Sequence, residues 1–357
     1  MKIARVEVRP CEPAFFGDGY KMSFVTQKAL NNRYVRLVLE DGSTGTGELS
    51  RSPVWPKAEQ QTLEQPCLDA LRGMELDDLP RLLADWRQEK RLTGVAFGVE
   101  LAMLDLLARR AGVPVSTLLG GPGAGDAPEC LSLGCMPPDV LAWTIRTKGR
   151  DIPVIQAKLS GENLDEDLAR VDAALAALRP DQELLADFNG ALSVPQAIDV
   201  VRTRPDPRLI WEETCDTYEE NLAVARGARR QIMMDQCLTG PETFVRAIKD
   251  GGALAVVIKS DAIGGLTVGR TLRDMCEAAG VRYRIDGWWC GPVAAAGVLH
   301  LAAGAGPGLI SVMELTDPID TYKGHFHRSR PGRVGPVGAP GLGPVVDVFD
   351  HAGHVPA

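Results

Sequence analysis

The sequence predicts an α/β protein: a modified (β/α)8 TIM barrel with an N-terminal α+β capping domain and a C-terminal segment that returns to this domain. The first observation is that eight short apolar runs follow residue 128, and most are separated from the next by one helical pattern. Eight strands that alternate with helices favour a barrel over an open sheet. The second observation is the length of 357 residues, which suits a barrel plus an accessory domain. We expect the boundaries to fall at 1–122, 123–328 and 329–357.

The capping domain is predicted to combine an antiparallel sheet with helices that follow it. Its strand patterns alternate polar and apolar residues, and its helical patterns repeat apolar residues at helical spacing. The expected elements are strands at 2–9, 33–40 and 44–49 and helices at 57–73, 77–88 and 94–112. The stretch 120–128, which is rich in Gly and Pro, separates this part from the barrel.

The barrel is predicted from eight apolar runs at nearly regular spacing. The expected strands are 129–135, 154–160, 183–189, 208–214, 231–236, 255–261, 281–287 and 309–315. Start signals precede three of the intervening helices: Ser193 before Pro195, and the capping-box pairs Thr217–Glu220 and Thr239–Glu242.

Charge and composition exclude several classes of partner. The net charge is −8, which argues against binding to nucleic acid or to an anionic membrane surface. We find no run of about 18 apolar residues that would span a bilayer, and the charged N-terminal stretch is unlike a signal peptide. The eight cysteines include no CxxC pair, which indicates reduced thiols and a cytoplasmic protein.

Six charged side chains stand at the ends of successive predicted barrel strands. Each is 23 to 29 residues from the next, which is about the length of one strand–helix unit. They are Lys158, Asp187, Glu212, Asp235, Lys259 and Asp286. The carboxyl ends of the strands in a parallel barrel meet at one face, so we expect these side chains to lie close together there.

The three central acids predict a site for a divalent cation. Asp187, Glu212 and Asp235 would repel one another strongly in a buried site unless a cation lay between them. A ligand set made only of oxygen favours Mg²⁺, or Mn²⁺, over Zn²⁺. Asn189 is placed to contact the same site. A strand-end acid can instead cap the next helix, and Asp286, which precedes a glycine, is equally typical of a turn.

The two lysines flank the acids and predict proton-transfer chemistry. Beside a divalent cation, Lys158 and Lys259 should have lowered pKa values, which suit a general base. A cation that neutralises a substrate carboxylate, together with such a base, is suited to removing the α-proton and forming an enediolate.

At these residues the chain resembles the mandelate racemase/muconate lactonizing enzyme branch of the enolase superfamily. The motifs that carry the resemblance are Gln156-Ala157-Lys158 for Lys-x-Lys, Asp187-Phe188-Asn189 for Asp-x-Asn, Glu212-Glu213-Thr214 for Glu-Gln-Pro, Asp235-Gln236 for Asp-Glu, and Lys259 followed by Gly264-Gly265. The resemblance implies that Lys158 is the usual base. Gln156, Glu213 and Gln236 depart from the family pattern, and no His ends the seventh strand.

Within the family, several segments are most similar to cis-3-hydroxy-L-proline dehydratases, and part of the likeness extends to proline betaine epimerases. These segments are 19–23, 212–222, 264–276 and 315–318. The resemblance implies dehydration of a cyclic amino acid, or alternatively epimerisation of proline betaines, N-acyl amino acids or dipeptides, by a homo-oligomer. We expect the segment 15–27 to close over the site. The expected substrate contacts are Tyr20, Lys21, Gln156, Asn189, Asp286, Trp289 and Asp317.

Two other functions remain open from the sequence. A zinc hydrolase on this fold would need a His-x-His motif. The chain has one, His325-Phe326-His327, although it follows the last barrel strand instead of lying in the first. A barrel that has lost catalysis would bind a metal ion without exchanging a substrate α-proton.

Overall fold

The computed structural model describes residues 1–12, 19–23, 25–51, 56–123, 125–288, 290–313, 326–344 and 349. It contains the predicted capping domain and barrel. The strands are β1 Ile3–Cys11, β2 Tyr20–Lys21, β3 Thr26–Gln27, β4 Asn32–Leu39, β5 Thr44–Leu49, β6 Ala127–Pro128, β7 Cys130–Leu133, β8 Val154–Lys158, β9 Glu183–Asp187, β10 Leu209–Glu212, β11 Ile232–Met234, β12 Leu254–Lys259, β13 Tyr283–Asp286, β14 Leu309–Val312, β15 Phe326–Arg330 and β16 Arg333–Pro336. The helices are α1 Lys57–Asp69, α2 Leu79–Trp86, α3 Thr93–Ala111, α4 Val115–Leu118, α5 Pro138–Thr147, α6 Leu164–Ala177, α7 Val194–Thr203, α8 Tyr218–Ala228, α9 Pro241–Asp250, α10 Leu266–Ala279 and α11 Pro292–Ala302.

The capping domain is an antiparallel sheet, in the order β1–β4–β5, that packs against α3. Glycines in β5 and α3 allow the strand and the helix to approach closely. A Cβ added to Gly47 would lie 2.0 Å from the carbonyl oxygen of Gly98. No side chain fits in that space, so the pair fixes how the sheet sits on the helix.

The barrel consists of eight parallel strands that pair in chain order from β7 to β14, forming a nearly closed sheet. Each of the eight predicted strands is present. Inward-facing apolar side chains fill the interior below the strand ends: Cys130, Val154, Leu185, Ile210, Met233, Ala255, Val257 and Ile310. Because this interior is packed, a ligand of the barrel would bind above it, at the carboxyl ends of the strands.

The helix starts agree with two of the three sequence signals. Ser193 is the N-cap of α7, and Thr217 forms a capping box with Glu220 at α8. The prediction for Thr239 is wrong, because Gly240 is the N-cap of α9 and Pro241 occupies the first helical position. Proline at that position has its φ already set for a helix, so the start lies one residue later than the capping-box spacing suggests.

Buried polar contacts join the capping domain to the barrel. The carboxylate of Glu48 accepts hydrogen bonds from the backbone N–H groups of Gly291 at 2.5 Å and Ala294 at 3.1 Å, at the start of α11. The C-terminal segment returns to the capping domain, where the N–H of Leu342 donates to Asp105 at 2.8 Å. Among the described helices, we find none that is long and apolar enough to cross a membrane.

Candidate active site

Three acids lie together at the carboxyl ends of adjacent strands. Asp187 and Glu212 are the last residues of β9 and β10 and pair directly in the sheet, and Asp235 follows β11. One carboxylate oxygen from each lies within 4.8 Å of the others, and all three residues are buried. The neighbouring Phe188 and Trp211 pack on the outer side of the strands, with ring centroids 6.0 Å apart. Side chains alternate along a strand, so this packing turns the acids into the barrel.

The two lysines contact the outer members of this acidic trio. The ammonium of Lys158, at the end of β8, donates to Oδ2 of Asp187. The ammonium of Lys259, at the end of β12, donates to Oδ2 of Asp235 at 2.6 Å. The strands that carry the lysines therefore flank the three strands that carry the acids.

The carboxylates that the two lysines contact raise the pKa values of both amines. Burial alone would lower the pKa of Lys158, but the charge of Asp187 and the hydrogen bond with it outweigh burial. The same balance, with Asp235 as the partner, raises the pKa of Lys259. The lowered pKa values expected from the sequence concern the site with a divalent cation bound beside the amines, and they stay a prediction.

Glu212 occupies the centre of the trio. Burial, followed by the charge of Asp187, raises its pKa to about 8. Arg284 is a buried cation of β13 and forms an ion pair with Asp286 at 3.3 Å. The charges of Asp286, Glu212 and Asp235 help to keep the pKa of Arg284 high against the effect of burial. Arg284 was not predicted from the sequence, although its spacing of two residues from Asp286 places it on the same inward face.

A chain of hydrogen bonds connects the capping domain with Glu212. The amide nitrogen of Gln156 donates to Glu212 at 2.7 Å, and the amide oxygen of Gln156 accepts from the hydroxyl of Ser132. The hydroxyl of Tyr20, in β2, lies 3.0 Å from Oγ of Ser132. The single hydroxyl hydrogen of Ser132 is committed to Gln156, so Tyr20 is the donor in this last contact. Ser132 was not predicted from the sequence, where it is one hydroxyl in an ordinary strand pattern.

Three other predicted substrate contacts, Asn189, Asp286 and Lys21, differ in their hydrogen-bond partners. Asn189 is bonded to Asp187, to which its side-chain amide donates at 2.9 Å and its backbone N–H at 2.7 Å. Asp286 ends β13 beside Arg284 and also accepts from the N–H of Gly287 at 2.9 Å, as expected for a turn residue. The side chain of Lys21 is exposed, and its carbonyl accepts from the N–H of Cys135 at 3.1 Å.

The hairpin formed by β2 and β3 thus rests on the end of β7. Residues 19–23 and 25–27 of the segment 15–27 are described, and the expectation that this segment closes over the site stays a prediction. Trp289 and Asp317 lie outside the described residues.

The acidic trio fits a hard divalent cation on its own geometry. Oδ1 of Asp235 is buried and has no hydrogen-bond partner among the described residues. Such an orphaned carboxylate oxygen is costly unless a cation or water binds it. Three converging carboxylates, with no His or Cys in the cluster, form a typical Mg²⁺ site.

The zinc alternative draws no support from the described residues. His327 lies in β15, and its Nδ1 is 3.0 Å from the carbonyl oxygen of Pro336. That strand belongs to a small sheet with β16 and β6, which precedes the start of β7. His327 is therefore at the amino end of the barrel strands, opposite the acids. His325 lies outside the described residues.

Comparisons with known proteins match this architecture over nearly the whole chain. Residues 5–120 match the mandelate racemase/muconate lactonizing enzyme N-terminal domain family, and residues 143–350 match the enolase C-terminal domain-like family. The cis-3-hydroxy-L-proline dehydratase of Roseibium aggregatum is 29% identical over 261 residues, which are 71% of this chain and 70% of that protein.

Two further relatives cover more of the chain. The N-succinylamino acid racemase of Thermus thermophilus is 29% identical over 330 residues, which are 87% of this chain and 86% of that protein. A crystal structure of an enolase superfamily member from Roseovarius nubinhibens, complexed with magnesium, is 26% identical. It superposes with a TM-score of 0.84 and covers 96% of this chain and 95% of its own.

Proposed function

Because the chain belongs to the mandelate racemase/muconate lactonizing enzyme family of the enolase superfamily, whose members are metal-dependent enzymes, we propose that it removes the α-proton of an amino-acid-like carboxylate. The proposed reaction is dehydration of cis-3-hydroxy-L-proline or a similar cyclic amino acid. The observation that carries the proposal is the pair of lysines, each bonded to one outer member of the acidic trio.

The proposed cofactor is Mg²⁺, held by Asp187, Glu212 and Asp235, with Mn²⁺ as a substitute. When bound, it supplies positive charge that neutralises the substrate carboxylate, acidifies the adjacent C–H bond and favours the neutral form of nearby lysines. The remaining chemistry belongs to the lysines. One neutral lysine takes the α-proton, and the opposite ammonium is in place to donate a proton.

The stereochemistry of cis-3-hydroxy-L-proline suits two groups on opposite sides. Its hydroxyl lies on the same ring face as the carboxylate, so the hydroxyl and the α-proton lie on opposite faces. A base on one side breaks the C–H bond, and an acid on the other side protonates the departing hydroxyl, which leaves as water. Lys158 and Lys259 extend from strands on either side of the acids and can share these roles.

The remaining proposed contacts divide between the two domains. The capping domain, residues 1–122, supplies Tyr20 and Lys21, and the barrel domain, residues 123–328, supplies Gln156, Asn189, Asp286, Trp289 and Asp317. Tyr20 is connected to the acidic trio, because its hydroxyl lies 3.0 Å from Oγ of Ser132, which donates to the Gln156 amide that contacts Glu212. We also propose that the protein acts as a homo-oligomer.

Epimerisation is the second candidate function. A proton returned to the opposite face of the α-carbon, with no leaving group on the β-carbon, gives the inverted product by the same two lysines. The similarity to an N-succinylamino acid racemase over 87% of this chain supports this candidate. The substrates to compare are proline betaines, N-acyl amino acids and dipeptides.

The experiment is a substrate screen in D₂O with Mg²⁺, followed by NMR and by chiral chromatography. We expect cis-3-hydroxy-L-proline to lose water, and we expect trans-3-hydroxy-L-proline to react far more slowly. In the trans isomer the α-proton and the hydroxyl share one ring face, so the opposite lysine cannot protonate the leaving group. Proline and its betaine serve as tests of epimerisation.

Each outcome separates the candidates. Deuterium at the α-carbon with inversion and without loss of water would replace dehydration by epimerisation. Metal binding without deuterium exchange in any compound of the screen would contradict both and indicate a barrel that has lost catalysis.

A further inference from the structure

Glu213 is a buried carboxylate that the proposed chemistry does not use, and it connects the three strand ends that carry the acids. It follows Glu212 directly, is 1% exposed and has a left-handed backbone with φ of 39°. Its N–H donates to the carbonyl of Met233 at 2.8 Å, and its carbonyl accepts from Gly190 at 2.7 Å. The strained residue is thus held by β11 on one side and by the turn that follows β9 on the other.

The side chain of Glu213 holds the turn that carries Asp235. Its Oε2 accepts from the backbone N–H of Asp235 at 2.6 Å, and its Oε1 accepts from the backbone N–H of Cys237 at 2.8 Å. The thiol of Cys237 lies 3.5 Å from Oε2 as a further donor. All these partners are donors, and the carboxyl group offers them two acceptor oxygens.

Apart from Glu213, one described hydrogen bond holds the backbone of Asp235: its carbonyl accepts from the N–H of Leu238 at 3.1 Å. One of its side-chain oxygens is bonded to Lys259, and the other has no partner among the described residues. The position of its carboxylate therefore depends on its backbone, whose N–H is held by Glu213. We infer that Glu213 is a positioning residue that fixes the peptide of Asp235 and thereby sets the affinity of the acidic trio for a divalent cation. This inference rests on the metal site of the proposed function.

The test is a Mn²⁺ titration of purified variants, with free Mn²⁺ followed by electron paramagnetic resonance. Glu213→Ala should weaken binding by about 10- to 100-fold, the range typical of residues that orient metal ligands. The Mn²⁺ affinity of Glu213→Gln should lie between those of Glu213→Ala and wild type. The amide oxygen of the glutamine still accepts a hydrogen bond, whereas its NH₂ group faces a backbone N–H and cannot accept from it.

Glu183→Ala is the matched control. Glu183 starts β9, at the far end of the strand that carries Asp187, and pairs with Arg282 at 2.7 Å. Its removal costs an ion pair in the same barrel and should leave the Mn²⁺ affinity within about twofold of wild type. The melting temperature of each metal-free variant is measured in parallel.

The outcomes distinguish this inference from the proposed function. A Glu213→Ala protein that melts earlier but binds Mn²⁺ as wild type does would overturn the positioning role and leave the metal site standing. A wild-type protein that binds no Mn²⁺ would overturn both. If Glu213→Ala does not fold, hydrogen exchange on the wild type decides: the N–H groups of Asp235 and Cys237 should be strongly protected, and rapid exchange contradicts the inference.

Discussion

Lys158→Ala and Lys259→Ala should each lower turnover by about 100- to 10,000-fold, the range that a general acid or base contributes. Each variant removes one of the two proton-transfer groups that the site places beside the acids. Both variants should still bind Mn²⁺, as tightly as wild type or more so, because an ammonium that competes for Asp187 or Asp235 is gone. Steady-state kinetics with the preferred substrate measure the turnover, and a Mn²⁺ titration measures the cation affinity.

Lys249→Ala is the control, because Lys249 is an exposed residue of α9. It should retain wild-type turnover. Full activity in both Lys158→Ala and Lys259→Ala would contradict the two-lysine scheme. Loss of activity in one variant alone would assign both proton transfers to that lysine.

Glu212→Gln should reduce divalent-cation affinity by at least about 100-fold and abolish turnover, because a buried ligand loses its charge while its shape is kept. The same change should raise the melting temperature of the metal-free protein. Burial and the charge of Asp187 raise the pKa of Glu212 to about 8, so its ionised form opposes folding. Calorimetric titration with Mg²⁺ and thermal melting with and without EDTA check both effects.

Glu183→Gln provides the matched control, since it makes the same chemical change at the amino end of β9. It should leave Mg²⁺ affinity unchanged. If Glu212→Gln bound Mg²⁺ like wild type, the acidic trio would not be the metal site. If it lowered the melting temperature of the metal-free protein, the repulsion ascribed to the trio would be wrong.

The barrel and the position of its site could be predicted because both depend on local periodicity. Each barrel strand is a short apolar run, and strand ends in a parallel barrel meet at one face. The spacing of 23 to 29 residues between charged strand ends was therefore enough to bring Asp187, Glu212 and Asp235 together. Helix starts were harder to predict. At α9, Thr239, Gly240 and Pro241 are adjacent residues that each favour a helix start, and the structure has Gly240 as the N-cap.

The contacts around the trio could not be predicted from the sequence, because they join residues far apart in the chain. Tyr20 reaches Ser132 across 112 residues, and this contact depends on how the capping domain sits on the barrel. Glu213 reaches Asp235 through a left-handed backbone that no side-chain pattern signals. The raised pKa values of the lysines likewise depend on which carboxylate oxygen each ammonium contacts, and the sequence does not specify that oxygen.

The measurement that tests the central claim most directly is anomalous diffraction from crystals grown with Mn²⁺. We predict one peak per chain between the carboxylates of Asp187, Glu212 and Asp235, at about 2.0–2.3 Å from an oxygen of each. The amines of Lys158 and Lys259 should lie on either side of it. A peak elsewhere, or none at saturating Mn²⁺, would contradict the claim that these acids gather one cation for proton abstraction.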